Sequence, residues 1–247
     1  MSTASNAAAV LNGLPEIRSW QETLYRDIHQ HPELSHHEHR TASLAADRLR
    51  RSGYDVRDSI GGTGVVGVLR NGTGPTVLLR ADMDALPVQE ATGLPYASTV
   101  RATDAAGNDV PVMHACGHDV HVTCLLGATA LFADATQHWS GTAIALFQPA
   151  EEVGDGARGM IDDRLADAIP PPDVALAQHV LPAPAGHVGT SHSAPGRIRT
   201  CDTGFRRAVL YPLSYEGLTR SELTESGSLR PHSATRTMCP LAGAQSG

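Results

Sequence analysis

The segment from Val112 to Val122, VMHACGHDVHV, packs Cys116, His118, Asp119 and His121 into a few residues directly ahead of an apolar run. A thiol, two imidazoles and a carboxylate at such spacing are donors of the kind that hold zinc or a similar divalent ion. Other ligand-type side chains close apolar runs elsewhere: Asp82 and Asp84 in RADMDALP, Glu151 and Glu152 in FQPAEE, and His179 in DVALAQHV. Where two carboxylates are adjacent, one can hold a metal while its neighbour activates water. Each motif also has a plain explanation. The aspartates suit a turn before Pro87, the glutamates an exposed acidic turn, and a lone histidine at a strand end is more often structural. Three successive strand ends carrying such side chains shift the balance toward metal-assisted hydrolysis. The five histidines of HQHPELSHHEHR, residues 29 to 40, read instead as a solvated turn and helix start, because no cysteine or well-spaced acidic partner accompanies them.

Positioning these groups falls to a regular alternation of elements. Apolar spacing predicts helices over residues 16–29 and 42–51, then strands over 64–69 and 76–79 separated by the turn sequence NGTGP. Residues 92–111 read as a loop or small hairpin. A helix is expected over 120–132 with Asp119 as its first residue or cap, leaving Cys116 and His118 at a helix N-terminus that favours a thiolate. Within that helix Cys124 is expected to be a buried small apolar residue, and His121 to support a ligand or to pack. A strand over 142–147, a short helix over 157–163 and a strand over 173–180 complete the pattern. If the backbone is extended at Glu151 and Glu152, their side chains point to opposite sides. The alternation implies an α/β fold, a mostly parallel twisted sheet with helices on both faces, whose strand ends gather along one rim.

The 247 residues are 41% hydrophobic and 18% charged, as in an ordinary soluble globular protein. The longest apolar run falls short of the roughly 20 residues that span a membrane. The N-terminus lacks the features of a secretory signal, so a cytoplasmic protein with reduced thiols is expected. Charge is uneven: residues 1–194 hold 12 arginines against 22 acidic residues, net −10, and residues 195–247 hold 7 against 4, net +3. The basic tail is rich in Ser, Thr, Gly and Arg, which favours poor order over a nucleic-acid surface.

Taken together, LRADMDALP, MHACGHDVHV, FQPAEE and AQHV resemble the hippurate hydrolase, N-acyl-amino-acid amidohydrolase and indole-acetyl-amino-acid hydrolase group, within the aminoacylase/carboxypeptidase family of two-metal peptidases. The opening IHQHPELSHHEHRTA is similar to that group as well, and the likeness covers about residues 15 to 190. The resemblance implies that Cys116, His118, Glu152 and His179 are metal ligands, that Glu151 is the general base, and that Asp84 orients a ligand; it gives Asp82 no firm role. It implies two divalent ions, Mn²⁺ or Zn²⁺, and a small-molecule N-acyl amino acid as substrate, with no nucleic-acid or membrane partner.

Members of that group are longer, inserting a lid or dimerisation domain and returning to supply a fifth ligand, a histidine. From about Gly196 this chain departs from the pattern, so a partial catalytic domain over 1–194 and a non-homologous, disordered tail over 195–247 are expected, truncated or fused. His232 can be nominated as that fifth ligand, although its surroundings do not match the pattern. Without a lid, the chain is expected to hydrolyse weakly or not at all, to expose an apolar sheet edge and to lack family-type dimerisation. Two other readings stay open: a remnant that binds metal without catalysis, and a cysteine hydrolase built on Cys116, which leaves the paired glutamates unexplained.

Overall fold

A computed structural model of the chain describes residues 3–180. Helices α1 (Thr3–Leu11), α2 (Leu14–Gln30) and α3 (His39–Arg51) precede strands β1 (Asp55–Ile60), β2 (Gly64–Asn71) and β3 (Thr76–Asp82). A two-stranded hairpin of β4 (Arg101–Thr103) and β5 (Asp109–Pro111) leads to α4 (His118–Asp134). Then come β6 (Gly141–Gln148), α5 (Gly156–Asp162), α6 (Leu165–Ala168) and β7 (Val174–Ala177). Sequence periodicity missed α1, β1 and α6. Strand β1 escaped because most of its residues are exposed, so it carries no clear alternation.

The main sheet has the order β1-β2-β6-β3-β7. β2 runs antiparallel to both neighbours, whereas β6, β3 and β7 pair in parallel, so every strand but β2 points the same way. This is the expected mostly parallel α/β sheet. Side chains alternate across it with period two. Val65, Ala81, Ala145 and Phe147 enter a core shared with α2, α3 and α4. Val66, Val68, Leu78, Ile144 and Leu146 meet Met160, Leu165 and Ile169 on the opposite face.

Helix α4 is buried along most of its length, from His118 to Leu131. Cys124 is an exception to the expectation: it is exposed rather than buried. The helix also starts earlier than its apolar run suggests. Gly117 is the N-terminal flanking residue, in a left-handed conformation at φ +84°, and Asp119 sits inside the first turn rather than capping it. A Cβ at Gly117 would lie 2.4 Å from Cγ2 of Val180, so only glycine admits both the turn and the segment after β7.

The parallel pairing sets Asp82 opposite Gln148 and Arg80 opposite Ala177. The C-terminal ends of β3, β6 and β7 therefore lie side by side, next to the start of α4.

Replacing Gly117 by alanine is expected to destabilise the fold by about 1–2 kcal/mol from the backbone alone, plus a steric part. Urea unfolding should show the steric part recovered in Gly117→Ala/Val180→Ala and the backbone part not.

Candidate metal centre

His118 occupies the middle of this rim and is fully buried. Its Nδ1 faces Asp84 Oδ1 at 3.3 Å, which turns Nε2 toward Asp82 Oδ2 at 3.7 Å, Glu152 Oε1 at 3.8 Å and Glu151 Oε2 at 3.9 Å. Among the described residues neither His118 Nε2 nor Glu152 Oε1 has a hydrogen-bond partner, although both atoms are buried. Beside them Cys116 Sγ lies 3.4 Å from His179 Nε2, and His179 donates through Nδ1 to the Val180 carbonyl at 2.6 Å, which aims Nε2 at the thiol. Three overlapping donor groups share His118: Cys116 with His179, Asp82 with His121, and Glu151 with Glu152. Sulfur, imidazole and carboxylate donors in such a group fit a divalent ion of the zinc or manganese type. The two buried atoms without a hydrogen-bond partner thus sit among sulfur, imidazole and carboxylate donors that could share a cation with them.

The five side chains that the resemblance implies as ligands or base, Cys116, His118, Glu151, Glu152 and His179, fall within these groups, as do Asp82 and His121, whereas Asp84 and Asp119 belong to none of them. The geometry of the glutamates differs from the expectation. They do not diverge, because the chain is not extended after β6: Ala150 is left-handed, at φ +49°, and the turn brings both carboxylates toward the same imidazole nitrogen. The histidines of residues 31–39 join none of the donor groups found among the described residues. His36 pairs with Asp155 at 2.8 Å on the surface. His232 lies outside the described residues.

Electrostatics follow from burial and crowding. Burial alone would push the Asp82 carboxyl up, but a 2.6 Å hydrogen bond from His121 together with His118 and Arg80 outweighs it and holds the group below the usual carboxylate range. Asp84 behaves likewise: burial opposes ionisation, and His118, the Ser35 hydroxyl at 2.7 Å and the Glu152 amide at 2.9 Å reverse it. Glu152 is raised to about 8, first by burial and then by Cys116, and Glu151 is raised by burial and by Asp82. Burial would lower His118, yet Asp84 and Cys116 push it up to about 11. A cluster so rich in acidic groups favours positive charge at its centre, a condition that a divalent cation also meets.

A second layer fixes the orientation of these groups. His121 donates to Asp82 through Nδ1 and accepts the Val180 amide at Nε2, 3.0 Å away, so both ring nitrogens are engaged. Arg80, itself buried, donates from Nε to Gln148 Oε1 at 2.7 Å and reaches Asp82 at 3.3 Å. On the far side of α4, His29 donates to Asp119 at 2.6 Å and contacts Glu90 at 3.1 Å. His114 is buried with neither ring nitrogen hydrogen-bonded among the described residues, and desolvation lowers it to about 4. Sequence reasoning missed His29, Glu90 and His114 as part of one buried polar region. Only His114 had a signal, lying in the same motif two residues before Cys116.

With fold and geometry in hand, the class is that of an α/β domain carrying a buried cluster of metal-type donors, and the chain belongs to peptidase family M20/M25/M40, whose sequence model matches residues 78–232. It is 46% identical over 159 residues to the hippurate hydrolase of Campylobacter jejuni, spanning 63% of this chain and 39% of that protein. It is 40% identical over 216 residues to IAA-amino acid hydrolase ILR1-like 6 of Arabidopsis thaliana, spanning 87% of this chain and 43% of that protein. Among solved structures, the Bacillus subtilis YXEP protein, described as a dinuclear metal-binding peptidase of the M20 family, matches with a TM-score of 0.59 and 32% identity over 68% of this chain and 44% of that one. The chain therefore spans about two-fifths of the length of these relatives.

His29 is held above the ordinary imidazole range chiefly by its hydrogen bond to Asp119. A raised imidazole pKa contributes stability that is fully present below about 6.5 and is lost as pH rises through the folded-state value. Urea unfolding between pH 6 and 9 should show wild type losing stability with pH more steeply than His29→Gln, which starts lower and stays flatter. Parallel curves would remove this pair from the pH response.

Proposed function

We propose that this chain carries the catalytic core of a metal-dependent amidohydrolase that cleaves the amide bond of N-acyl amino acids, with Cys116, His118, Glu152 and His179 as metal ligands and Glu151 as general base. The observation that supports this most directly is the pair of orphaned buried atoms, His118 Nε2 and Glu152 Oε1, set among Cys116, His179 and Glu151. When bound, two divalent ions, Mn²⁺ or Zn²⁺, would supply Lewis-acid polarisation of the scissile carbonyl and acidify the attacking water.

The chain's own residues do the rest. Burial and Asp82 raise Glu151 toward the range in which a carboxylate takes and returns a proton readily. Glu151 removes a proton from water as its oxygen bonds the carbonyl carbon, then delivers that proton to the amide nitrogen as the C–N bond breaks. A carboxylic acid and an amine result. Asp84 fixes the His118 ring through Nδ1 and the Val180 carbonyl fixes His179, so each presents its Nε2 to the cluster. Similarity to a hippurate hydrolase and an IAA-amino acid hydrolase supports an N-acyl amino acid as the substrate class. The charge reversal after residue 194 supports assigning this unit to residues 1–194 and a separate tail to 195–247, although the family match continues to residue 232.

A second reading, a metal-binding remnant without turnover, is supported by the same donor groups, which would hold an ion with or without catalysis. Metal analysis and hydrolysis of N-benzoylglycine on one sample separate the two. The amidohydrolase reading expects about two ions per chain and a rate, however slow, that falls at least ~10²-fold in Glu151→Gln while metal content stays unchanged. Metal without turnover in wild type supports the remnant. A Glu151→Gln chain as fast as wild type would overturn the assignment of the base and favour thiol chemistry at Cys116.

A further inference from the structure

The turn that brings Glu151 and Glu152 to His118 is held from outside the cluster. Ala150, with its left-handed backbone, is fully buried, and its amide donates to Glu38 Oε1 at 2.8 Å. Glu38 is itself fully buried, and its carboxyl accepts two further hydrogen bonds, from the His36 amide at 3.0 Å and the Thr63 hydroxyl at 2.6 Å. Glu38 belongs to none of the donor groups among the described residues. A charged-type side chain buried so completely, and spent on a backbone amide 112 residues away, needs an explanation beyond packing.

The segment that carries Glu38 braces the site at a second point. The Ser35 hydroxyl donates to Asp84 Oδ2 at 2.7 Å, the same oxygen that accepts the Glu152 amide. Backbone pairing ties this segment down: the Ala85 amide donates to the Glu33 carbonyl at 2.8 Å. Residues 33–38 thus grip both the loop after β3 and the turn after β6.

We propose that Glu38 is a positioning residue: by accepting the Ala150 amide it locks the left-handed turn that swings Glu151 and Glu152 onto the same face of His118. The inference rests on the functional reading above, in that it takes Glu151 and Glu152 as working groups. Alanine resists a positive φ and glycine does not, so the structure carries its own test. If Glu38 acts by holding Ala150, a glycine at that position should make Glu38 partly dispensable.

The experiment measures Zn²⁺ affinity of the full chain by competition with a chromophoric chelator, alongside the metal-free thermal midpoint. Glu38→Ala should weaken the weaker Zn²⁺ site by roughly 10- to 100-fold, the range typical of lost supporting partners. Glu38→Gln, whose amide oxygen still accepts from Ala150 and His36, should stay within about threefold of wild type, the near-neutral effect expected when a hydrogen-bond acceptor is conserved. Ala150→Gly alone should bind like wild type, and Glu38→Ala/Ala150→Gly should regain most of the lost affinity. Unchanged affinity in Glu38→Ala, or a loss that adding Ala150→Gly does not relieve, overturns the proposal. Should Glu38→Ala not fold, Glu38→Asp, one methylene too short to reach, takes its place with the same expectations. Amide exchange in wild type is independent of every variant: the Ala150 N–H should be strongly protected, and exchange at the rate of an open loop would refute the lock. Wild type that binds no Zn²⁺ defeats the functional reading, whereas wild type that binds it with Glu38 indifferent defeats only this one.

Discussion

Burying several carboxylates and imidazoles together is costly unless each charge has a partner, and the rim of the sheet is arranged around meeting that condition. Asp82 is satisfied by His121 and Arg80; Asp84 by His118, Ser35 and the Glu152 amide; His179 by the Val180 carbonyl and Cys116. Once these pairs are made, His118 Nε2 and Glu152 Oε1 remain, facing one another at 3.8 Å across a space lined by donors. The candidate site thus centres on the atoms left when Asp82, Asp84 and His179 have found partners within the fold.

Regular structure delivers the side chains only roughly, and irregular backbone aims them. Parallel register sets the ends of β3 and β6 level. A left-handed Gly117 then starts α4 at His118, and a left-handed Ala150 reverses the chain after β6 so that consecutive glutamates share a target. Backbone conformations of this kind cluster where function needs them and survive because the surroundings over-determine them.

Much of this was legible from residue types. VMHACGHDVHV, FQPAEE and AQHV named the donors, and the alternation of apolar runs gave the sheet that collects them. Sequence could not show that Glu151 and Glu152 converge, because that depends on one φ angle at Ala150, a residue type that usually avoids it. Nor could it show that Cys124 faces outward, since exposure depends on what covers α4 and not on the apolar neighbours along the helix. Glu38 lies in a histidine-rich stretch that reads as a solvated turn, and its partner is 112 positions away. Long-range hydrogen bonds to backbone leave no periodic trace.

Strand β7 is the thinnest member of the sheet. It is four residues long, hydrogen-bonds along one side to β3 among the described residues, and leaves Val174 and Leu176 exposed. Its ends are what fasten it: Asp173 exchanges bonds with Thr76 at one, and Val180, seated on Gly117 and donating to His121, secures the other. His179 rides on that second fastening. Fraying of this ribbon would therefore begin by withdrawing an imidazole from the cluster long before the hydrophobic layers beneath come apart, making the donor set the earliest casualty of thermal or chemical stress.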